Sequence, residues 1–417
     1  MTTNKTEILV YADWLNKSEA MLLGVLTSQQ SKGKTSFSFK YHYDWLKTQK
    51  AILLDPDILW NEGNQFPIAK NIFGIFNDCM PDTWGRTLMK RREAIIAKEE
   101  KRNVNILRDI DFLLGVNDQS RMGALRFKLN EKEDFVNNDK LHPTPPWTSI
   151  RELQHGASLL ESDKENKEVR KWLQILLAPG SSLGGARPKA NIKDEKGSLW
   201  IAKFPSKNDT IDKAAWEYLA YKLAITAGIE MSESKIEKVN GKHHTFFTKR
   251  FDRIKNKRIH FASAMTMTGN NEDTLKNNTA SYLDIAEFIQ FNEANNKKEL
   301  HQLWRRLVFN IAVSNTDDHL RNHGFILNEK GWQLSPAFDI NPSIDKSGLA
   351  LNIDQDSNEL NFDLAKSVGQ YFQLNKIEME NILNEVCQSV KNWKNEATKI
   401  GISKAEQKLM EAAFRWE

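Results

Sequence analysis

Apolar and polar positions alternate through "EILVYADWL", "AMLLGVLTS" and "KTSFSFKYHYDWL". That is the two-residue period of half-buried strands, so a small β-rich unit opens the chain. From about Asn71 the period lengthens, and "DTWGRTLMKRREAIIAKEEKR" and "ILRDIDFLLGV" predict helices. "NDKLHPTPPWTS", with three prolines in a polar setting, reads as a linker and domain boundary. Ser149 followed by Glu152 fits a capping box, with helices continuing to about Leu177. "APGSSLGGARPKANI" is too rich in glycine and proline for regular structure, and "ANIKDEKGSLWIAKFP" then predicts two strands around Lys196 and Gly197. A helix over "IDKAAWEYLAYKLAITAGI" leads to a hairpin turning at Asn240-Gly241. Beyond "GNNEDTLKNNTA" the pattern is mostly helical. There Leu300, Leu303, Trp304, Leu307, Val308 and Ile311 form one apolar stripe that ends at "SNTDDHLRN".

A chain of 417 residues allows two or three domains, and 40% hydrophobic with 27% charged residues is the balance of a water-soluble globular protein. The 59 basic and 55 acidic residues leave a net charge of +4, so no global field marks a nucleic-acid binder. Arg86, Lys90, Arg91 and Arg92 gather on one predicted helix, either as a solvated face or as a patch for an acidic partner. Cys79 and Cys387 have no zinc-ligand spacing and point to buried thiols in a reducing compartment. With no leader-like N-terminus and no apolar run long enough to span a bilayer, a cytoplasmic location is expected and no membrane partner.

The chemistry lies in four places. The loop Gly180 to Lys189 could bring backbone amides, Arg187 and Lys189 to an anion, although it matches neither the phosphate loop nor the kinase glycine loop. Lys203 interrupts an apolar strand, either as a solvent-facing residue or as an inward charge needing a partner, for which Glu217 on the next helix is a candidate. A strand lysine paired to a helix glutamate is how protein kinases hold nucleotide phosphates. Asp317 and Asn322 have the five-residue spacing of the kinase base and its metal-binding asparagine, and Asp339 ends a later apolar stretch where a second metal ligand belongs. Taken alone, "NTDDHLRN" is also an ordinary polar helix end. His319 and His323 stand four apart, as helical zinc ligands do, but the glutamate of H-E-x-x-H is missing.

At these residues the chain resembles the HipA family, serine/threonine kinase toxins of bacterial toxin–antitoxin modules. The likeness rests on "SSLGGARPKA", "LWIAKFP", "TKRFDR", "NTDDHLRN" and "SPAFDI", and extends to "NDCMPDTWGRTLMKRR" and "LLGVNDQSRMGALRF". It implies an α+β, two-lobed kinase-like fold with a small β-rich N-terminal subdomain and a mainly helical C-terminal lobe. The implied division is an antitoxin-facing domain over 1–145, an N-lobe-like part over 146–255 and a helical C-lobe over 256–417. Asp317 would be the catalytic base, with Asn322 and Asp339 holding Mg2+ against ATP. Gly184, Gly185, Ala186, Arg187, Lys189, Lys203 and His319 would contact the nucleotide, with Lys249, Arg250 and Phe251 as the hinge beside adenine, mostly through backbone groups. Ser182, or the adjacent Ser181, would be a self-silencing phosphorylation site. The implied partners are a HipB-like helix-turn-helix antitoxin, DNA chiefly through that antitoxin, and a protein substrate that in the family is typically an aminoacyl-tRNA synthetase. A small-molecule phosphotransferase and a catalytically silent nucleotide-binding regulator remain as rival classes. "FDI" in place of D-F-G, and the lack of His-Arg before Asp317, separate the chain from ordinary kinases.

Overall fold

The computed structural model describes residues 4–14, 19–31, 33–137, 144–162, 167–177, 185–255, 257–277, 279–292 and 296–417. The chain divides into two compact units, Met1–Lys207 with Arg250–Ala262, and Asn208–Lys249 with Ser263–Glu417.

In the first unit the alternating segments form strands Asn4–Ala12, Met21–Ser31 and Lys34–Tyr41, which join Leu125–Lys128 in an antiparallel sheet with the third strand at one edge and Leu125–Lys128 at the other. The period places Ile8, Val10 and Ala12 on one face, where they are buried with Leu26, Phe39 and Phe127. The Thr83–Glu99 helix starts at Asp82, whose carboxylate accepts from the Gly85 amide. Of the four basic residues gathered there, Arg86 and Arg91 are held by the protein, while Lys90 and Arg92 are exposed. Arg86 donates to the Pro81 carbonyl and lies over the Phe112 ring, and Arg91 donates to the Leu160 carbonyl.

The predicted capping box at Ser149 does not form. A 3-10 turn, Trp147–Ser149, runs straight into the Ile150–Glu161 helix, so Ser149 already has φ −84° and ψ 5° and its side chain makes no cap bond. A capping side chain needs the extended backbone that the preceding turn removes. The proline-rich segment lies alongside strand Lys189–Lys193, with the Pro145 carbonyl accepting from Lys193, and residues 138–143 of it lie outside the described residues. Lys189–Lys193 pairs with Leu199–Lys203 across a turn where Gly197 has φ +79°.

The second unit is mainly helical. Asp212 caps the Lys213–Thr226 helix through the Ala215 amide, and that helix buries Trp216, Glu217, Leu219 and Leu223. The hairpin Ser234–Glu237/Thr245–Lys249 turns through Gly241 at φ +83°, as the Asn-Gly pair predicted. All six residues of the stripe ending in Ile311 are buried on the Asn296–Ala312 helix, and Trp304 Nε1 donates to the Ala365 carbonyl at 2.9 Å. The hairpin Gly324–Asn328/Gly331–Leu334 follows. Both cysteines are free thiols, Cys79 buried and Cys387 only half-buried. Among the described residues no helix is long and apolar enough to cross a membrane.

Candidate active site

The Asn296–Ala312 helix ends in a turn that aims the next residues away from its core. The Asn315 amide donates back to the Asn310 carbonyl at 2.9 Å and the Ser314 amide to Ile311 at 3.2 Å, the paired bonds of a Schellman stop. Ser314 therefore sits at the left-handed position, φ +50°, where glycine is usual.

The predicted loop follows. Asn322 belongs to the short 3-10 turn Leu320–Asn322, its amide donates to the His319 carbonyl at 2.7 Å, and its Nδ2 donates to the Asp317 carbonyl at 3.1 Å. That bond spends the nitrogen and leaves Oδ1 as the acceptor for a cation. Asp317 is exposed, whereas its neighbour Asp318 is buried. Asp318 Oδ2 accepts from the Tyr282 hydroxyl and lies 2.8 Å from His323 Nε2. The two adjacent carboxylates thus have opposite surroundings, one facing solvent and one locked inside.

From Tyr282 a chain of hydrogen bonds reaches the second metal-ligand candidate. Asn310 Nδ2 donates to the Tyr282 hydroxyl and Asn315 Nδ2 to Asn310 Oδ1, both at 3.1 Å. The Asn341 amide donates to Asn315 Oδ1 at 3.2 Å, and Asn341 Nδ2 to Asp339 Oδ1 at 3.1 Å. Asp339 is half-buried and holds a left-handed backbone, φ +59°, which aspartate tolerates better than most residues. The segment before it is fixed where the Ala337 amide donates to the Glu230 carbonyl at 2.8 Å. One network therefore joins the loop of Asp317 and Asn322 to that of Asp339.

Burial and then the Asp318 charge push the Tyr282 phenol well above its ordinary value, so it remains a donor through the physiological range. Tyr282→Phe leaves a buried carboxylate short of a partner. A stability loss of about 1–3 kcal/mol is expected, read from the urea midpoint, and an unshifted midpoint would remove the network from this account.

His319 is half-buried and its Nδ1 has no hydrogen-bond partner among the described residues, which suits a ring waiting for a ligand. His323 is committed to Asp318, and the turn between the two histidines is not the α-helix on which a four-residue spacing pairs ligands. Among the described residues no cluster of three His, Cys, Asp or Glu side chains could hold a metal. Asn322 and Asp339 offer oxygen atoms only, a donor type that fits Mg2+ rather than a softer ion.

In the first unit Lys203 is buried on its strand directly opposite Lys189. Like charges facing each other across a pair are unfavourable. Lys189 is neutralised by Asp82, Nζ to Oδ2 at 2.7 Å with both side chains nearly inaccessible, and it also holds the Gly185 carbonyl at 2.9 Å. Its ammonium thus braces the end of the loop against the Asp82 helix cap. Ala186 is exposed and Arg187 half-buried, while Ser181, Ser182 and Gly184 lie outside the described residues. Glu217 is buried on its helix in the second unit.

Of the expected hinge residues, Lys249 is half-exposed and pairs with Glu233 at 3.2 Å, and the Phe251 ring packs on Phe261 at 5.7 Å. The Arg250 side chain is wholly engaged by protein. It donates to Asp252 at 2.8 and 2.6 Å, to the Ser120 carbonyl at 2.5 Å and to Asn191 Oδ1 at 3.0 Å, while its amide donates to the Leu199 carbonyl at 2.9 Å.

Sequence reasoning did not find Tyr282, Asn310, Asn315 and Asn341. Their one signal is Asn310, a polar residue set directly after the apolar run Leu307, Val308 and Phe309.

Residues 181–394 match the HipA-like C-terminal domain family, just over half of the chain. A Haemophilus influenzae protein named "Putative kinase" is 26% identical over 179 residues, which are 38% of this chain and 52% of that protein. The chain thus spans about half the length of that curated relative. Among solved structures, a chain of the Shewanella oneidensis MR-1 toxin–antitoxin complex of HipA, HipB and operator DNA superposes with a TM-score of 0.65 at 14% identity, covering 97% of this chain and 94% of that one. At that identity the likeness is one of fold, and it carries the α+β architecture with a β-rich N-terminal region expected from the sequence. On the match over residues 181–394, the chain belongs to the HipA-like family.

Proposed function

We propose that this chain is an ATP-dependent kinase that transfers the γ-phosphoryl group to a serine or threonine of a protein. The observation that carries the reading is the network above. It fixes Asp317, Asn322 and Asp339 on two loops of one unit while leaving the Asp317 side chain exposed. Phosphoryl transfer needs positioning and charge neutralisation more than covalent chemistry, and a rigid polar loop serves that need.

Asp317 accepts the proton of the attacking hydroxyl and orients it in line with the phosphorus. Asn322 and Asp339 hold Mg2+, which when bound neutralises charge on the phosphate oxygens. Lys203 takes the phosphates. Lys249 to Phe251 serve adenine through backbone groups, and His319 adds a ligand contact. Gly184 to Arg187 close over the nucleotide, with Lys189 acting on the loop through the Gly185 carbonyl. Lys203→Ala is expected to lower kcat/KM for ATP by about 10²-fold, in line with the loss of one preorganised charge at a transferring group.

The family membership and the fold likeness support a toxin acting with a HipB-like antitoxin, docked on residues 1–145 and carrying most DNA contact. They also support an aminoacyl-tRNA synthetase as target and Ser182 or Ser181 as the self-silencing site. A phosphoserine there adds nearly two negative charges, which repel ATP phosphates from the same loop. The test is incubation with Mg-ATP labelled at the γ position and purified synthetases, followed by phosphopeptide mapping. Label on a synthetase serine or threonine is expected. Label only on sugars or antibiotics moves the chain to the small-molecule class, and tight Mg-ATP binding without any transfer moves it to the silent regulators.

A further inference from the structure

The phosphotransfer reading makes no use of the chain's last residues, yet they are bonded to the root of the catalytic loop. Ser314, three residues before Asp317, occupies the left-handed stop position where glycine would be less strained. What serine has and glycine lacks is the hydroxyl, and here it is used. Ser314 Oγ donates to the Ala413 carbonyl at 2.7 Å and accepts from the Arg415 guanidinium. The Arg415 amide donates to the Ala312 carbonyl at 2.7 Å, satisfying one of the helix-end acceptors. The Ser314 carbonyl accepts from the Ser343 amide at 3.1 Å, so the same residue also touches the segment just after Asp339.

Between Ala413 and Arg415, Phe414 points to the other side. Its ring stacks on Trp393 at 4.2 Å and 9°, and lies 6.0 Å from Trp216. Trp216 is next to Glu217 on the Lys213–Thr226 helix, and its Nε1 donates to Glu406 at 3.2 Å. Ser314, Ala413, Phe414 and both tryptophans are all buried.

We propose that residues 413–415 are a brace that positions the catalytic loop, with Arg415 and the Ala413 carbonyl holding Ser314 while Phe414 ties the segment to the helix carrying Glu217. The proposal rests on the phosphotransfer reading, because the loop it holds is the one that reading makes catalytic. Ser314 and Arg415 are positioning residues, acting through Asp317 and Asn322.

The decisive variant is Ser314→Gly. If Ser314 is only a helix stop, glycine relieves the strained turn, so the melting temperature holds or rises and turnover is unchanged. As a brace, the same variant keeps the fold but lowers kcat by about tenfold or more, since small misplacements of reacting groups carry large rate losses. The KM for ATP stays near wild type, and amide hydrogen exchange at residues 314–318 quickens. Arg415→Ala should do the same and Arg415→Lys should recover part of the rate. Lys399→Ala, which removes a surface pair to Glu396, should leave kcat unaltered. Wild-type kcat in both Ser314→Gly and Arg415→Ala overturns the brace, and so does faster exchange without a rate loss. If the unsubstituted chain transfers nothing to any substrate, the phosphotransfer reading falls, and exchange at 314–318 alone decides whether the tail holds the loop.

Discussion

Asp317→Asn is expected to lower phosphoryl transfer by about 10²–10⁴-fold, the usual share of a positioned general base, while nucleotide affinity and the melting temperature stay as they were. The structure makes the substitution clean. What the rest of the loop uses is the Asp317 main-chain carbonyl, which accepts from Asn322, and an asparagine supplies the same carbonyl. The exposed side chain can thus change from carboxylate to amide without breaking an interior contact. One residue further on the same change behaves differently. Asp318 is buried between Tyr282 and His323, so Asp318→Asn places an amide where an anion accepts two bonds. It should lower stability along with activity. Initial rates at saturating Mg-ATP, with calorimetric nucleotide binding and thermal melts, separate the two residues. Wild-type turnover in Asp317→Asn would end its assignment as the base, and unchanged stability in Asp318→Asn would mean that the network does not hold the loop.

Features that depend on near neighbours were legible in the sequence. The Asn240-Gly241 turn and the Lys196-Gly197 turn were readable because each needs a residue that accepts positive φ, and Gly241 and Gly197 stand at +83° and +79°. The stripe from Leu300 to Ile311 was readable from its period, and the loop after it from a polar run at a helix end. What failed depended on direction or distance. The resemblance gives Arg250 a hinge place mostly through backbone groups, but spacing cannot say where its guanidinium faces, and it faces Asp252. Ser149 had the right neighbour for a capping box and the wrong backbone, set by a preceding turn that no local pattern announced. Tyr282 and Asn341 frame the loop of Asp317 from about thirty residues before it and twenty after it, and only the folded chain brings Tyr282 to Asp318 and Asn341 to Asn315.

In the second unit Asn310, Asn315 and Asn341 join the loop of Asp317 to that of Asp339 through neutral amide and hydroxyl bonds. The first unit instead concentrates charge. Arg126 and Arg258 meet Asp118 at 2.5 and 3.1 Å, and Arg250 and Arg253 meet Asp252, both at 2.6 Å. Breaking a buried arginine–aspartate pair should therefore cost more stability than removing one of the amide bonds.

Asp252→Asn is expected to produce the largest stability loss of any single substitution considered, about 3–5 kcal/mol at neutral pH. The carboxylate is fully buried. It accepts from Arg250 at 2.8 and 2.6 Å, from Arg253 at 2.6 Å and from the Gly123 amide at 2.8 Å. A Cβ on Gly123 would lie 3.1 Å from the Phe261 nitrogen, tighter than ordinary contact, and its φ of +72° is one that glycine adopts without strain. Replacing the anion leaves two buried guanidiniums without compensation, and the amide turns a donor toward groups that themselves donate. Burial pushes the Asp252 carboxyl up, but Arg250, Arg253 and the Gly123 amide outweigh it and hold the group down at about 2, against an ordinary value of 3.8. Because the folded value is depressed, the stabilisation is complete above the unfolded value and is lost as pH falls through the folded one. The wild-type advantage over Asp252→Asn should accordingly be constant above about pH 4 and shrink by about 2 kcal/mol as pH falls toward 2. Urea midpoints of both proteins across that range test this. A neutral-pH difference under about 1 kcal/mol, or an advantage that grows on acidification, would show that this carboxylate is not what holds the arginines inside.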